Sequence, residues 1–187
     1  IGSLRIGSKG LMLDTVRGIP METLLSIPTI LELENIGNDD EKTFMMGLFL
    51  ARLYEYRRLQ AAKGTLPPGL QHLIVFEEAH RLLKNTSTQV DSESANPRAQ
   101  AIEVFTNMLS EVRAYGQGVL VAEQIPSKLA PDVLKNTNMK IVHRLIAQDD
   151  RQSIGQTMNL NMEQLTHLGI LTPVSYTHLR AHETGRN

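Results

Sequence analysis

The chain has 187 residues, of which 41% are hydrophobic and 21% are charged, which is enough apolar content for one globular domain or a large part of one. Its formal net charge of −1 gives no bulk basic field for nucleic acid, and the absence of cysteine excludes disulfides and thiolate metal sites. The apolar runs are far too short to span a membrane, and no signal peptide is visible. We therefore expect a cytoplasmic protein without a membrane segment.

The first half of the chain alternates between short apolar runs and a long helix. A strand is predicted at 29–34, and a helix is predicted to begin at Asp39 or Asp40 and to stop at Gly64. This helix is apolar nearly all round, so we expect it to be well buried. The run at 72–76 is rich in β-branched and aromatic residues and predicts a buried strand.

The second half repeats this alternation after a polar segment. The segment 84–96 is rich in Ser, Thr, Asn and Asp and is predicted to be a mobile loop. The alternation of strands and helices predicts an α/β fold, with a mainly parallel sheet covered by helices. The elements predicted after the loop are a helix from Pro97, a strand at 118–122, a short helix from Pro131, a strand at 140–145, a helix capped by Asp149 or Asp150 that reaches Met158, and a short helix at 161–167.

Two carboxylates follow directly after the strand at 72–76. The carboxyl ends of parallel strands meet at the ligand-binding edge of an open α/β sheet, so this position suits metal-assisted hydrolysis of a nucleotide. Glu77 would hold Mg²⁺ through water, and Glu78 would orient or deprotonate the attacking water. The alternative is a pair of solvated carboxylates at a junction between a strand and a loop.

A polar residue, Gln124, follows the next strand at the same predicted edge. Its amide can donate to a phosphate oxygen and accept from water, so it suits a sensor of the γ-phosphate. The alternative is a turn residue next to Pro126. Glu77 and His80 also have the i, i+3 spacing of a di-iron site, but the preceding strand and the lack of a second Glu-x-x-His disfavour that site.

Five segments carry a likeness to a known family: 10–14, 28–37, 40–57, 73–83 (LIVFEEAHRLL) and 111–145. Together they resemble the HerA-like ATP-binding proteins of the HerA/FtsK superfamily of P-loop ATPases. The resemblance covers about residues 1–173 and implies the C-terminal part of a RecA-like P-loop NTPase motor domain. It implies a homo-hexamer that couples hydrolysis of ATP, with Mg²⁺, to the movement of double-stranded DNA, and family members act in DNA-end processing beside a nuclease.

The resemblance also implies roles for individual residues. Glu77 and Glu78 match the Walker B acids, and Gln124 matches the sensor. Arg113, within the pattern E-x-R-x-Y-G, matches an arginine finger that reaches the ATP of a neighbouring subunit, and Arg144 is a second candidate for such a contact. A guanidinium suits this role because its planar fork can neutralise the charge on the transferring phosphoryl oxygens. The alternative for both arginines is a surface salt bridge.

Two features depart from the family pattern. No G-x-x-x-x-G-K-S/T loop occurs, and in the near match at 2–9 (GSLRIGSK) the Ser and Lys are transposed. We therefore expect the phosphate loop to lie upstream of Ile1, and the 187-residue chain alone not to hydrolyse ATP. The tail at 174–187 has no family likeness and resembles the translated adapter-like ends of assembled environmental sequences, so we exclude it from functional reasoning.

Three functions remain open at this point. The leading one is an ATP-driven DNA translocase or helicase. The second is a conjugative or type IV secretion ATPase, which shares the motor core, and the third is a nucleotide-binding assembly module without hydrolysis. The paired acids argue against the third, because two neighbouring carboxylates at a buried edge repel each other and are costly without a metal.

Overall fold

The computed structural model describes residues 10, 14–36, 39–81, 83–84, 97–172 and 176–180. Residues 1–74 and 95–119 belong to one compact unit, and residues 75–94 and 120–187 belong to a second. The helices are α1 (Met21–Ser26), α2 (Asp39–Ala62), α3 (Pro97–Glu111), α4 (Pro131–Asn136), α5 (Gln148–Met158) and α6 (Met162–Ile170). The strands are β1 (His72–Glu77), β2 (Gln117–Ala122), β3 (Met139–His143) and β4 (Tyr176–Arg180). Short 3₁₀ turns lie at Ala79–Arg81, Val112–Tyr115 and Pro126–Lys128.

Helix α2 is packed against α3 in the first unit. Apolar side chains from both helices are fully buried there, among them Leu53 and Phe105. The predicted start at Asp39 is confirmed. The expectation that the helix is well buried all round is wrong, because α3 covers only one side of it and leaves Phe44 and Leu48 exposed.

The strand predicted at 29–34 does not form. The segment is irregular, and the side chain of Ile30 is 86% exposed. A strand needs a hydrogen-bonded neighbour, and none of the strands in the described residues pairs with this segment. Ile30 and Leu31 are therefore exposed to solvent instead of packed in a sheet, and Leu33 is half-buried.

Strands β1 and β2 form a parallel two-stranded sheet flanked by helices, which confirms the predicted α/β class. The backbone segments that precede β1 and β2 lie close together at Gly116, the residue before β2. Its carbonyl oxygen accepts from the backbone N–H of Gln71 at 2.8 Å, and its φ of +67° lies in the left-handed region that favours glycine. A parallel pair brings the carboxyl ends of both strands to one edge.

Strand β3 pairs with β4 in antiparallel register, with Met139 opposite Arg180 and His143 opposite Tyr176. Strand β4 lies inside the tail at 174–187. The exclusion of this tail from the motor domain stays a prediction. Within the described ranges, β3 is not hydrogen-bonded to β2.

Helix α5 begins earlier than predicted. Ala147 occupies its N-cap and makes no side-chain cap bond, so the expected capping by Asp149 or Asp150 is wrong. Both acids lie in the first turn, where a negative charge interacts favourably with the helix dipole. Asp150 is buried, and its Oδ1 accepts from the backbone N–H of Ser127 at 3.0 Å, which offsets the loss of hydration.

Two predicted segments fall mostly or wholly outside the described residues. Of the predicted loop at 84–96 only Lys84 is described, and it forms a β-bridge with Leu129. The near match to a phosphate loop at 2–9 is outside as well. In the described part of the chain, no helix has the length and apolarity needed to cross a bilayer.

Candidate active site at the ends of the parallel strands

The backbone changes direction sharply where β1 ends. Glu77 is the last residue of the strand, and Glu78 has a φ of +52°, a conformation that few residues other than glycine adopt. Its carbonyl oxygen accepts from the backbone N–H of Arg81 at 2.9 Å, which closes the following turn. A left-handed residue with a side chain costs about 1 kcal/mol, so the surrounding bonds must hold it.

The structure brings Glu78 and Gln124 together. Gln124 Nε2 donates to Glu78 Oε1 at 3.3 Å, and both side chains remain accessible to solvent. Glu78 follows β1 and Gln124 follows β2, so the parallel pairing accounts for their meeting. This is the arrangement of acid and amide that the strand pattern predicts.

Glu77 stands apart from this pair. Its side chain is exposed and makes no hydrogen bond or ion pair with any other described residue. The described residues contain no cluster of three or more His, Cys, Asp or Glu that could hold a metal. A single free carboxylate nevertheless fits Mg²⁺, because this ion is usually bound through one or two carboxylates together with substrate phosphates and water.

The two arginines are exposed and belong to different units. Arg113 lies in the 3₁₀ turn after α3, and Arg144 follows β3. Neither forms a salt bridge with a carboxylate of the described residues, so the alternative of a surface salt bridge is not realised there. Arg144 also makes no hydrogen bond with Glu78 or Gln124.

Sequence reasoning did not assign a role to Glu123. Its side chain is only 4% exposed, yet it lies directly before the predicted sensor. It accepts from the backbone N–H of His80 at 2.8 Å and lies 2.9 Å from the Nδ1 atom of the same residue. His80, which shares the i, i+3 spacing with Glu77, therefore faces Glu123. The position of Glu123 at a strand end was the only signal in the sequence.

The hydrogen bonds to Glu123 stabilise its charged form. Burial alone would raise the pKa of this carboxyl, but the backbone N–H groups of Ile125 and His80, together with the His80 ring, bring the pKa below its ordinary value. Glu123 is therefore an ionised acceptor at neutral pH, with its oxygens taken up by protein donors.

Comparison with known proteins shows the fold. No protein-family model matches the chain, and no curated protein matches it either. The chain is similar to solved structures of the genome packaging NTPase B204 from Sulfolobus turreted icosahedral virus 2. The complex with AMP has a TM-score of 0.51 and 18% identity, covering 79% of this chain and 59% of that one.

Two further complexes of the same NTPase give similar values. The sulfate complex has a TM-score of 0.50 and 17% identity over 72% of this chain and 57% of that one. The complex with ATP-gammaS has a TM-score of 0.50 and 18% identity over 72% of this chain and 59% of that one. The chain thus spans less than two thirds of the length of these neighbours, with which it shares the fold.

Proposed function

We propose that the chain is part of an ATP-hydrolysing DNA motor, a HerA-like translocase or helicase of the HerA/FtsK superfamily. One observation carries the proposal: Glu78 and Gln124 lie within hydrogen-bonding distance at the carboxyl ends of two neighbouring parallel strands. The likeness in fold to a genome packaging NTPase solved with ATP-gammaS and AMPPCP supports a nucleotide as the ligand.

The chemistry expected of these side chains follows from their types. The Glu78 carboxylate can accept a proton from the attacking water or orient that water, while the Gln124 amide can donate to Glu78 and to a phosphate oxygen. Glu77 is free to hold Mg²⁺ through water, and this ion would supply neutralisation of the charge on the phosphates. In this proposal Glu78 activates the attacking water and Glu77 provides the contact with the metal.

The remaining parts of the motor are also proposals. Arg113 and Arg144 are exposed cations that a neighbouring subunit's nucleotide could meet in a homo-hexamer. An arginine in that position neutralises developing charge on the phosphoryl group and can change the rate by several orders of magnitude. Double-stranded DNA is the proposed substrate for movement, with a nuclease as the partner in DNA-end processing.

A substitution of Glu78 tests the function. In the natural protein that contains residues 1–173, Glu78→Gln should bind ATP as the unsubstituted protein does and lose hydrolysis by roughly 100- to 10,000-fold, the range of a general base. Glu103→Gln, an exposed residue of α3, serves as the control and should turn over normally. Turnover of Glu78→Gln close to that of the control would show that the assigned base is wrong.

A further inference from the structure

The carboxylate of Glu123 links the two loops that carry the candidate catalytic side chains. Its Oε2 atom accepts from the backbone N–H of His80 in the loop after β1. Its Oε1 atom accepts from the backbone N–H groups of Gln124 and Ile125 in the loop after β2, at 2.8 and 2.9 Å. One buried, ionised side chain therefore ties together two stretches of chain that are 43 residues apart.

The ring of His80 strengthens this link. An ionised carboxylate can only accept, so the 2.9 Å approach to Glu123 Oε2 assigns the proton to Nδ1. The other ring nitrogen, Nε2, lies 4.0 Å from Glu78 Oε2, which is beyond hydrogen-bonding distance. The ring is thus fixed by Glu123 and stands beside Glu78 without a direct bond to it.

Glu78 depends on its surroundings for its conformation. Its left-handed backbone is intrinsically unfavourable, and among the described residues its side chain has one hydrogen-bond donor, the amide of Gln124. Gln124 is held through its own backbone N–H by Glu123, and the turn after Glu78 is held through His80 by the same carboxylate. Loss of the link would let the two loops separate and would let Glu78 and Gln124 drift apart.

We propose that Glu123 and His80 are positioning residues that keep the side chains of Glu78 and Gln124 within hydrogen-bonding distance of each other. This inference rests on the proposed function for the reaction that it affects, and goes beyond it by assigning two residues that touch no reacting atom. The essential element is the donor at the position of His80 Nδ1 together with an ionised acceptor at Glu123. A displacement of about 1 Å at a reacting group can slow a reaction by roughly 100-fold, so the link matters for rate.

Kinetics in the natural protein containing residues 1–173 provide the first test. Glu123→Gln and His80→Ala should lower kcat for ATP hydrolysis by roughly 10- to 100-fold and leave KM nearly unchanged, because neither side chain is placed against the nucleotide. His80→Asn should recover most of that loss, since its amide can donate to Glu123 from about the position of Nδ1. Exposed residues of α6 supply matched controls, His167→Ala and Glu163→Gln, which should behave as the unsubstituted protein.

Hydrogen exchange in the 187-residue chain tests the link without any nucleotide. In Glu123→Gln, the backbone N–H groups of His80, Gln124 and Ile125 should exchange faster, because the carboxylate that accepts from them is gone. The N–H of Leu145, which donates to Leu168 O at 3.0 Å, should exchange as before and reports that the unit is still folded.

The outcomes separate the two proposals. If Glu78→Gln retains turnover, the proposed function fails whatever His80 and Glu123 do. If Glu78→Gln is inactive while Glu123→Gln and His80→Ala keep the full kcat, only the positioning role fails. Equal rates for His80→Asn and His80→Ala, or unchanged exchange in Glu123→Gln, would likewise overturn the link.

Discussion

Arg57 Nε donates to Gln117 Oε1 across 3.2 Å inside the first unit. The two residues are 5% and 3% exposed, and no carboxylate of the described residues forms a salt bridge with the guanidinium. Burial lowers the pKa of Arg57, which is the sign of a cation held away from water. The buried guanidinium of Arg57 is therefore stabilised by hydrogen bonds to neutral amide oxygens, those of Gln117 and, at 3.0 Å, of Gln60.

Gln117→Leu should leave this buried cation short of an acceptor. We expect the free energy of unfolding to fall by about 2 kcal/mol, the cost of losing a hydrogen bond to a charged group. The double variant Arg57→Met/Gln117→Leu should recover part of that loss, because it removes the unsatisfied guanidinium, while the hydrogen bonds between Gln117 and His72 stay lost. Urea denaturation of the unsubstituted chain and the two variants measures the free energy of unfolding. A double variant less stable than Gln117→Leu would contradict the prediction.

Gly116 and Gly64 form a matched pair for a second prediction. Both have positive φ, +67° and +66°, but a β-carbon on Gly116 would lie 2.7 Å from Gly69 O, whereas nothing lies within 4 Å of one on Gly64. Gly64→Ala should cost about 1 kcal/mol from backbone strain alone. Gly116→Ala should cost about 2–4 kcal/mol, because the clash with backbone adds to the strain. Thermal denaturation measures both variants. Equal losses of stability in Gly64→Ala and Gly116→Ala would contradict the predicted cost of the clash.

The left-handed backbone of Glu78 leads to a third prediction. Glu78→Ala keeps the unfavourable φ of +52°, whereas Glu78→Gly removes its steric cost. After allowance for the greater entropy of glycine in the unfolded chain, Glu78→Gly should be more stable than Glu78→Ala by up to about 1 kcal/mol. Both variants should lack ATP hydrolysis in the natural protein. If Glu78→Gly is the less stable of the two in chemical denaturation, the residue is not strained.

Local sequence patterns predicted those parts of the site that depend on one segment alone. The apolar run before Glu77 identified β1, and the run before Gln124 identified β2, so the parallel pairing placed the acid and the amide at one edge. The same kind of apolar run predicted a strand at 29–34 that does not form, because a strand also depends on a neighbouring strand that its own residues do not encode.

The role of Glu123 was hidden for a different reason. Nothing in the composition of a strand end tells whether a carboxylate points to solvent or turns inward to accept from neighbouring backbone N–H groups. The donors include the local N–H groups of Gln124 and Ile125, but they also include His80, which lies 43 residues away in the sequence. The predicted capping of α5 by Asp149 or Asp150 failed for a similar reason. The carboxylate of Asp150 accepts from the backbone N–H of Ser127, which belongs to a different element.

The lowered pKa of Glu123 predicts a stability that depends on pH. A group whose pKa is lower in the folded state than in the unfolded state contributes stability above its ordinary pKa, and that contribution is lost as the pH falls towards the folded pKa. The difference in free energy of unfolding between the unsubstituted chain and Glu123→Gln should therefore be largest near neutral pH and should shrink as the pH falls below about 4.5, the ordinary value for Glu. Urea denaturation at several pH values measures this difference. Gln152→Ala, a neutral exposed substitution on α5, should show a constant difference over the same range. A Glu123→Gln difference that grows towards acid pH would mean that the carboxylate is held protonated in the folded chain, and its link to His80 would then lack the ionised acceptor on which it depends.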